Sequence, residues 1–180
     1  MVNAPEILSV NLPDLVEQVA TALIARRMLL VTAESCTGGS IAAALTERPG
    51  SSAWFERGFV TYSYASKTAL LSVSAATLAT QGAVSEATAH EMAVGALHNS
   101  QAAVSLSVTG IAGPDGGTPQ KPVGTVCFGW ALADGTYRVE TRQFAGNRHA
   151  VREQASIHAL SGLLDWLHQK DASAPGTAMQ

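Results

Sequence analysis

A chain of 180 residues with 47% apolar side chains and a mean hydropathy of +0.15 can bury a full core, which excludes a disordered segment and fits one domain over residues 1–170. A net charge of −3 and a pI near 5.9 argue against nucleic acid as a partner, since general affinity for it needs a basic face. Two cysteines set no disulfide framework, no apolar run can span a bilayer, and MVNAPEILSV lacks the basic region of a secretory signal, so no membrane is expected and the cytoplasm is the expected setting.

In chain order, Leu12, Leu15, Val16, Val19 and Leu23 fall at helical spacing over residues 12–25, with Pro13 and Asp14 in the first turn. An apolar strand over 28–33 runs into the turn TAESCTGGS (32–40), and an alanine-rich helix follows from 38 to 47, stopping before Pro49 and Gly50. The aromatic and β-branched stretch GFVTYSY (58–64) reads as a second strand. Short helical pieces fill 65–81 and close at Gly82; Ser85 then caps a helix to residue 99 that turns Ala89, Met92, Ala93 and Ala96 inward. Strand 102–109 enters a glycine loop, and strands 124–133 and 136–144 form an antiparallel hairpin around Ala133, Asp134 and Gly135. The helix over 148–168 is the longest, and residues 171–180 read as a flexible tail. This order predicts an α/β fold: a three-layer α/β/α sandwich on a mixed, mostly parallel sheet with a C-terminal antiparallel hairpin strand.

A strand that ends in a hydroxyl, a thiol and two glycines before a helix is how an α/β protein presents a nucleophile beside exposed backbone N–H groups. Ser35 is the first candidate, and a serine hydroxyl needs a base. His90, His98, His149, His158 and His168 all fall on predicted helices and none follows a strand, which disfavours a Ser-His-Asp triad. Lys67 follows the predicted strand 58–64, and a desolvated lysine is the base of Ser–Lys hydrolases. Tyr62 is placed to relay a proton or orient that amine; the structural alternative is a core tyrosine and a surface lysine.

Cys36 competes as nucleophile, because a helix N-terminus lowers a thiol pKa, against the alternative of small buried filler. Glu34 orients a ligand, caps backbone amides, or is a solvated carboxylate at a strand end. The loop over 110–124 carries neither a phosphate-binding P-loop nor a dinucleotide fingerprint, and Thr109 at its start is placed to hydrogen-bond a ligand. Arg148 and Arg152 sit one turn apart where cations oppose the helix dipole, with Asn147 as cap. Either they hold an anion such as a phosphate, or they pair with an acid such as Glu153. No His/Cys/Asp cluster has ligand spacing, so no metal or cofactor is expected.

The blocks AESCTGG (33–39), PGSSAWFERGFVTYS (49–63), Lys67, GAVSE (82–86), TGIAGPDGG (109–117) and KPVGTV (121–126) together resemble the CinA C-terminal domain family, from about Leu15 to His168. Several of its members are nicotinamide-nucleotide amidohydrolases. The resemblance implies hydrolysis of the carboxamide of nicotinamide mononucleotide, giving nicotinate mononucleotide and ammonia, in pyridine-nucleotide salvage and without a cofactor. It places the nucleophile on Ser35, the tyrosine of the family's site on Tyr62 and its lysine on Lys67, with ligand contacts at Thr109 and Arg148. The expected substrate-binding set is then Glu34, Cys36, Thr37, Gly38 and Gly39 in the turn, Thr109, Gly110 and Gly113 in the glycine loop, and Arg148.

One departure stands out: family members often read TYSNEAK where this chain reads TYSYASK, so Tyr64 and Ala65 replace an amide and a carboxylate. Some relatives add an N-terminal domain resembling molybdopterin-binding proteins; this chain looks like the standalone form. A homodimer is expected from the general prevalence of symmetric dimers. The competing reading is a nucleotide-binding regulatory module without turnover, linked to competence or DNA damage.

Overall fold

The structure, a computed structural model, describes residues 11–173; the predicted tail beyond Ser173 lies outside the described residues. Its element order is α1 (Leu12–Arg26), β1 (Leu30–Glu34), α2 (Ser40–Glu47), a short 3-10 turn (Ser51–Ala53), β2 (Phe55–Val60), α3 (Tyr64–Leu71), α4 (Ala75–Gln81), α5 (Glu86–His98), β3 (Val104–Gly110), β4 (Thr125–Leu132), β5 (Tyr137–Gln143) and α6 (Arg148–Ser173). The sheet runs β2-β1-β3-β4-β5. β1 pairs parallel with β2 and β3; β4 pairs antiparallel with β3 and β5. The predicted α/β sandwich on a mixed sheet is the fold observed, divided evenly between parallel and antiparallel pairings.

Side-chain alternation sorts the two faces. Val104, Leu106 and Val108 of β3 join Leu30, Phe128, Trp130 and the buried faces of α1 and α6 in one apolar cluster. Between them, Ser105 and Ser107 face the other way and donate to the carbonyls of Ala93 and Ala89 on α5, at 2.8 and 2.6 Å. Small groups are needed on that side because α5 lies close to the sheet: a Cβ on Gly129 of β4 would stand 2.7 Å from the Ala89 carbonyl oxygen. α5 also meets α3 closely, since a Cβ on Gly95 would stand 1.8 Å from the Leu71 carbonyl oxygen. That contact fixes how deep α3 sits.

Two boundaries differ from expectation. The second strand begins at Phe55 and ends at Val60, so Thr61 to Ser63 form its exit and Tyr64 is helical. The Ser63 hydroxyl accepts the Ser66 N–H at 3.1 Å while the Ser66 hydroxyl accepts the Ser63 N–H, a capping box that starts α3 where aromatic and β-branched composition suggests strand. At the other end, α6 continues through residues 171–173, which the sequence assigns to the tail.

The chain order also makes a crevice. After β1 the chain moves to β2 on one side, then returns to β3 on the other, so the C-terminal ends of β1 and β3 flank a reversal of strand order. Close backbone contact predicts a sharp contrast between two substitutions. Gly95→Ala should lower the unfolding free energy by about 3 kcal/mol or more, because backbone cannot yield as a side chain does. Gly135→Ala, at φ +87° in open space, should cost only about 1 kcal/mol. Urea unfolding of both variants checks it; equal costs would mean that α5 does not sit as close to α3 as described.

Candidate active site

Ser35 leaves the end of β1 with its N–H donating to the Val108 carbonyl of β3 at 2.9 Å, which holds the residue over the crevice. Only 8% of it is exposed. Lys67 projects from the first turns of α3, fully buried, and its Nζ lies 2.9 Å from Ser35 Oγ and 2.6 Å from the Thr61 carbonyl oxygen. Desolvation pulls the Lys67 ammonium down from 10.5 to about 8, against a smaller opposing effect of the Cys36 sulfur. As an ammonium, Lys67 donates to both oxygens. Once neutral, it can keep the Thr61 contact and accept the Ser35 hydroxyl proton on its lone pair.

Cys36, next in the chain, is in a different state. Burial pushes its thiol from 9.0 up to about 12, so it stays protonated over the ordinary pH range. Its side chain belongs to the apolar cluster shared with α6, the filler environment.

The turn between β1 and α2 needs Gly38 and Gly39, at φ +62° and +92°, to reverse the chain within two residues. Glu34 is fully buried beneath that turn and accepts from the N–H groups of Gly39 (3.0 Å), Ile41 (3.1 Å) and Ala42 (2.8 Å). It is therefore the amide cap among the three roles open to it, a carboxylate at a helix N-terminus where the dipole favours it. Its oxygens, and the Gly39 N–H with them, are engaged inward. The Gly38 N–H donates to the Ser35 carbonyl at 3.0 Å. Of the turn's N–H groups, those of Cys36 and Thr37 have no backbone acceptor among the described residues, and both approach the Cys36 sulfur.

Thr109 is buried at the end of β3 and its hydroxyl donates to the Ala83 carbonyl at 2.8 Å, pinning the α4–α5 connection to the sheet. Its proton is committed to Ala83, while the hydroxyl oxygen keeps the acceptor capacity that the expected ligand contact would use. Gly110 closes the β3 pairing opposite Val126, where a Cβ would stand 2.7 Å from that side chain. Gly113 is buried in the following loop and offers its carbonyl to Arg148 Nη1 at 2.9 Å.

Tyr62 is 63% exposed, and its hydroxyl accepts from Arg148 Nη2 at 3.0 Å. A tyrosine bridging Lys67 to Ser35 is not the arrangement observed: the amine meets the hydroxyl directly. Arg148 opens α6, with Asn147 accepting the Ala150 N–H at 3.0 Å as the predicted cap, and joins Tyr62 to the glycine loop. Arg152, one turn on, donates to the carbonyls of Cys36 (3.1 Å) and Thr37 (2.7 Å) rather than pairing with Glu153. At the departure positions, the Tyr64 hydroxyl accepts the Ala83 N–H at 3.2 Å, and Ala65 lines an apolar groove between α3 and α4 with Thr68, Ala69, Ala75 and Leu78.

Sequence spacing missed the Thr61 carbonyl as a partner of the lysine and the attachment of Arg152 to the nucleophile turn. The pairing of Arg148 with Arg152 on one helix face was the visible signal for the second, but it pointed equally to an anion. Among the described residues, no three His, Cys, Asp or Glu side chains are grouped so as to hold a metal ion, and no helix is long and apolar enough to cross a membrane.

A family model, the CinA C-terminal domain, matches residues 13–167. A nicotinamide-nucleotide amidohydrolase PncC from Enterobacter agglomerans is 54% identical over 154 residues, covering 86% of this chain and 94% of that protein. The protein of the same name from Escherichia coli K12 is 53% identical over 153 residues, covering 85% and 93%. Among solved structures, a competence-damaged protein (CinA) superfamily protein from Klebsiella pneumoniae matches with a TM-score of 0.85 at 42% identity, covering 88% of this chain and 99% of that one.

Removing the buried amine exposes the linkage. Between pH 8 and 10.5 the unfolded chain holds a proton on Lys67 that the folded chain has released, so wild-type stability rises with pH in that window. A Lys67→Met variant lacks this contribution. The wild-type minus variant difference in unfolding free energy should therefore grow steadily from pH 8 to 10.5, as read by urea titration; a flat difference would show an ordinary, solvated amine.

Proposed function

The chain belongs to the CinA C-terminal domain family, and on that footing we propose that it is a nicotinamide-nucleotide amidohydrolase, converting nicotinamide mononucleotide to nicotinate mononucleotide and ammonia with Ser35 as nucleophile. The single observation carrying the chemical half of this reading is the 2.9 Å contact between Ser35 Oγ and a fully buried Lys67 Nζ. A Ser–Lys pair is an established way to generate an alkoxide-like nucleophile without histidine. The names of relatives that match over most of their own length supply the substrate.

Neutral Lys67 takes the Ser35 hydroxyl proton as Oγ bonds to the carboxamide carbon, and the carbonyl π-pair moves onto oxygen. The N–H groups of Cys36 and Thr37, which have no backbone acceptor among the described residues, are the donors we assign to that oxyanion; one such donor typically contributes ~10²–10³ in rate. The tetrahedral species then collapses, the C–N bond breaks, and Lys67 returns its proton to the departing nitrogen, which leaves as ammonia. Water adds to the acyl-Ser35 ester with Lys67 again as base. Collapse frees nicotinate mononucleotide and gives the proton back to Ser35.

Arg148, joined to Tyr62 and the Gly113 carbonyl at the mouth of the crevice, is the cation we assign to the ribose phosphate. Binding there holds the amide over Ser35, so affinity distant from the scissile bond serves its orientation. Tyr62 accordingly positions Arg148 rather than relaying the proton. Tyr64 bonds the Ala83 N–H and Ala65 lines the groove between α3 and α4, so their departure from the family pattern leaves the Ser35–Lys67 pair intact. The two free cysteines support a reducing, cytoplasmic setting, where ammonia and nicotinate mononucleotide would enter pyridine-nucleotide salvage.

An ammonia assay on purified protein with nicotinamide mononucleotide tests this reading. Wild type should release ammonia; Ser35→Ala and Lys67→Ala should each lose at least ~10³ in kcat while nucleotide affinity stays within a few-fold. Cys36→Ala should stay active, since its thiol is protonated and packed. Tight nucleotide binding with no ammonia from wild type would instead identify a binding module, and an active Ser35→Ala beside an inactive Cys36→Ala would move the chemistry to the thiol.

A further inference from the structure

The nucleophile turn has two sides, and they are held by different residues. Its later N–H groups are covered by Glu34. The N–H groups of Cys36 and Thr37 approach only the weakly accepting Cys36 sulfur, without a backbone acceptor among the described residues, and belong to peptide units whose carbonyls come from Ser35 and Cys36. A trans peptide is planar, so whatever grips the carbonyl oxygen also sets the direction of the N–H across the bond. The Ser35 carbonyl is gripped locally, by the Gly38 N–H at 3.0 Å. The Cys36 carbonyl is gripped from α6, by Arg152 Nε at 3.1 Å, and the Thr37 carbonyl by Arg152 Nη2 at 2.7 Å.

We propose that Arg152 is a positioning residue for the oxyanion-binding peptides: its guanidinium fixes and polarises the Cys36–Thr37 unit so that the Thr37 N–H is held ready as a donor. Two features make a cation suitable there. A guanidinium is planar and always charged, and its fork satisfies two adjacent carbonyls at once. Its positive charge draws density toward the carbonyl oxygen, which strengthens the donor on the same amide. The side chain is also seated: α6 joins α2 through Ser156 and Ser40, whose hydroxyls lie 3.0 Å apart, so the helix bearing Arg152 is tied to the helix that the turn begins. Arg152 also packs along the turn at Gly38, where a Cβ would stand 3.5 Å from Arg152 Nη2, an ordinary contact distance. Arg148 and Arg152 thus divide the face of α6 that sequence spacing assigned to an anion. One reaches the mouth of the crevice and the other supports the turn from behind.

This inference rests on the Ser35 chemistry proposed above, and the experiment separates the two. Phosphonylation of Ser35 by a fluorophosphonate, followed by intact mass, reads the nucleophile and its oxyanion donors without any assumption about the natural substrate. Ammonia release from nicotinamide mononucleotide is measured in parallel on wild type, Arg152→Ala and Arg152→Lys. The expected result is labelling slowed ~10–100-fold in Arg152→Ala, a matching fall in kcat with KM within about threefold, and a smaller loss in Arg152→Lys. Millimolar guanidinium should restore part of the Arg152→Ala rate.

Unchanged labelling in a folded Arg152→Ala overturns the proposal, as does a loss confined to KM, which would make Arg152 a phosphate contact. If Arg152→Ala fails to fold, Arg152→Lys decides: a kcat loss at unchanged KM and melting temperature supports positioning, and wild-type kcat refutes it. Labelling of wild type without ammonia release refutes the substrate while leaving the Arg152 comparison standing; wild type that resists labelling and releases no ammonia refutes both.

Discussion

The side chain of Lys67 is fully buried, and the rest of the site follows from that constraint. An ammonium held away from solvent is costly unless it is paired, and no carboxylate is paired with it here; its two partners are neutral oxygens of Ser35 and Thr61. The environment therefore lowers the pKa to about 8 and makes the neutral amine, the form that can accept a proton from a hydroxyl, accessible near neutral pH. Keeping the side chain buried requires α3 to begin at Ser63 and to sit deep. The capping box supplies the first condition and the closeness of Gly95 to the Leu71 carbonyl supplies the second.

The same economy of placement explains why Glu34, Arg148 and Arg152 lie around Ser35 without bonding its hydroxyl. Glu34 lies one residue before Ser35 but turns under α2, where three N–H groups neutralise its demand for donors. A carboxylate free to reach Lys67 would hold it protonated and remove its capacity to accept the Ser35 proton. Arg152 approaches the carbonyl side of the turn from α6, and Arg148 approaches Tyr62 and Gly113 at the entrance. Each ionised group thus acts through backbone or through another side chain, and the amine is left with the hydroxyl alone as its side-chain partner.

Much of this was legible in the chain. Pattern and composition anticipate the order of the helices and strands, and the turn after β1 stands out because two consecutive glycines between a hydroxyl and an alanine-rich helix have few other uses. What was not legible depends on where polar side chains find partners far away in sequence. Thr109 reads as a ligand contact from its place at a strand end, and nothing in the spacing shows that its hydroxyl proton goes to Ala83, 26 residues earlier. Tyr62 looked like a relay from its nearness to Lys67, yet Arg148, 86 residues later, holds it. The start of β2 escaped for a different reason: Phe55–Arg57 carry charged residues, and only pairing with Leu30 and Val31 of β1 makes them strand.

The state of one amine carries the account, and it can be observed directly. In protein labelled with ¹³C at lysine Cε, the three lysine signals are followed through a pH titration, with Lys67 assigned by its absence from a Lys67→Arg sample. The account predicts a Lys67 midpoint near 8 in the free protein, shifted when Ser35 is replaced by alanine. A midpoint at the ordinary lysine value of 10.5, unmoved by that replacement, would contradict it.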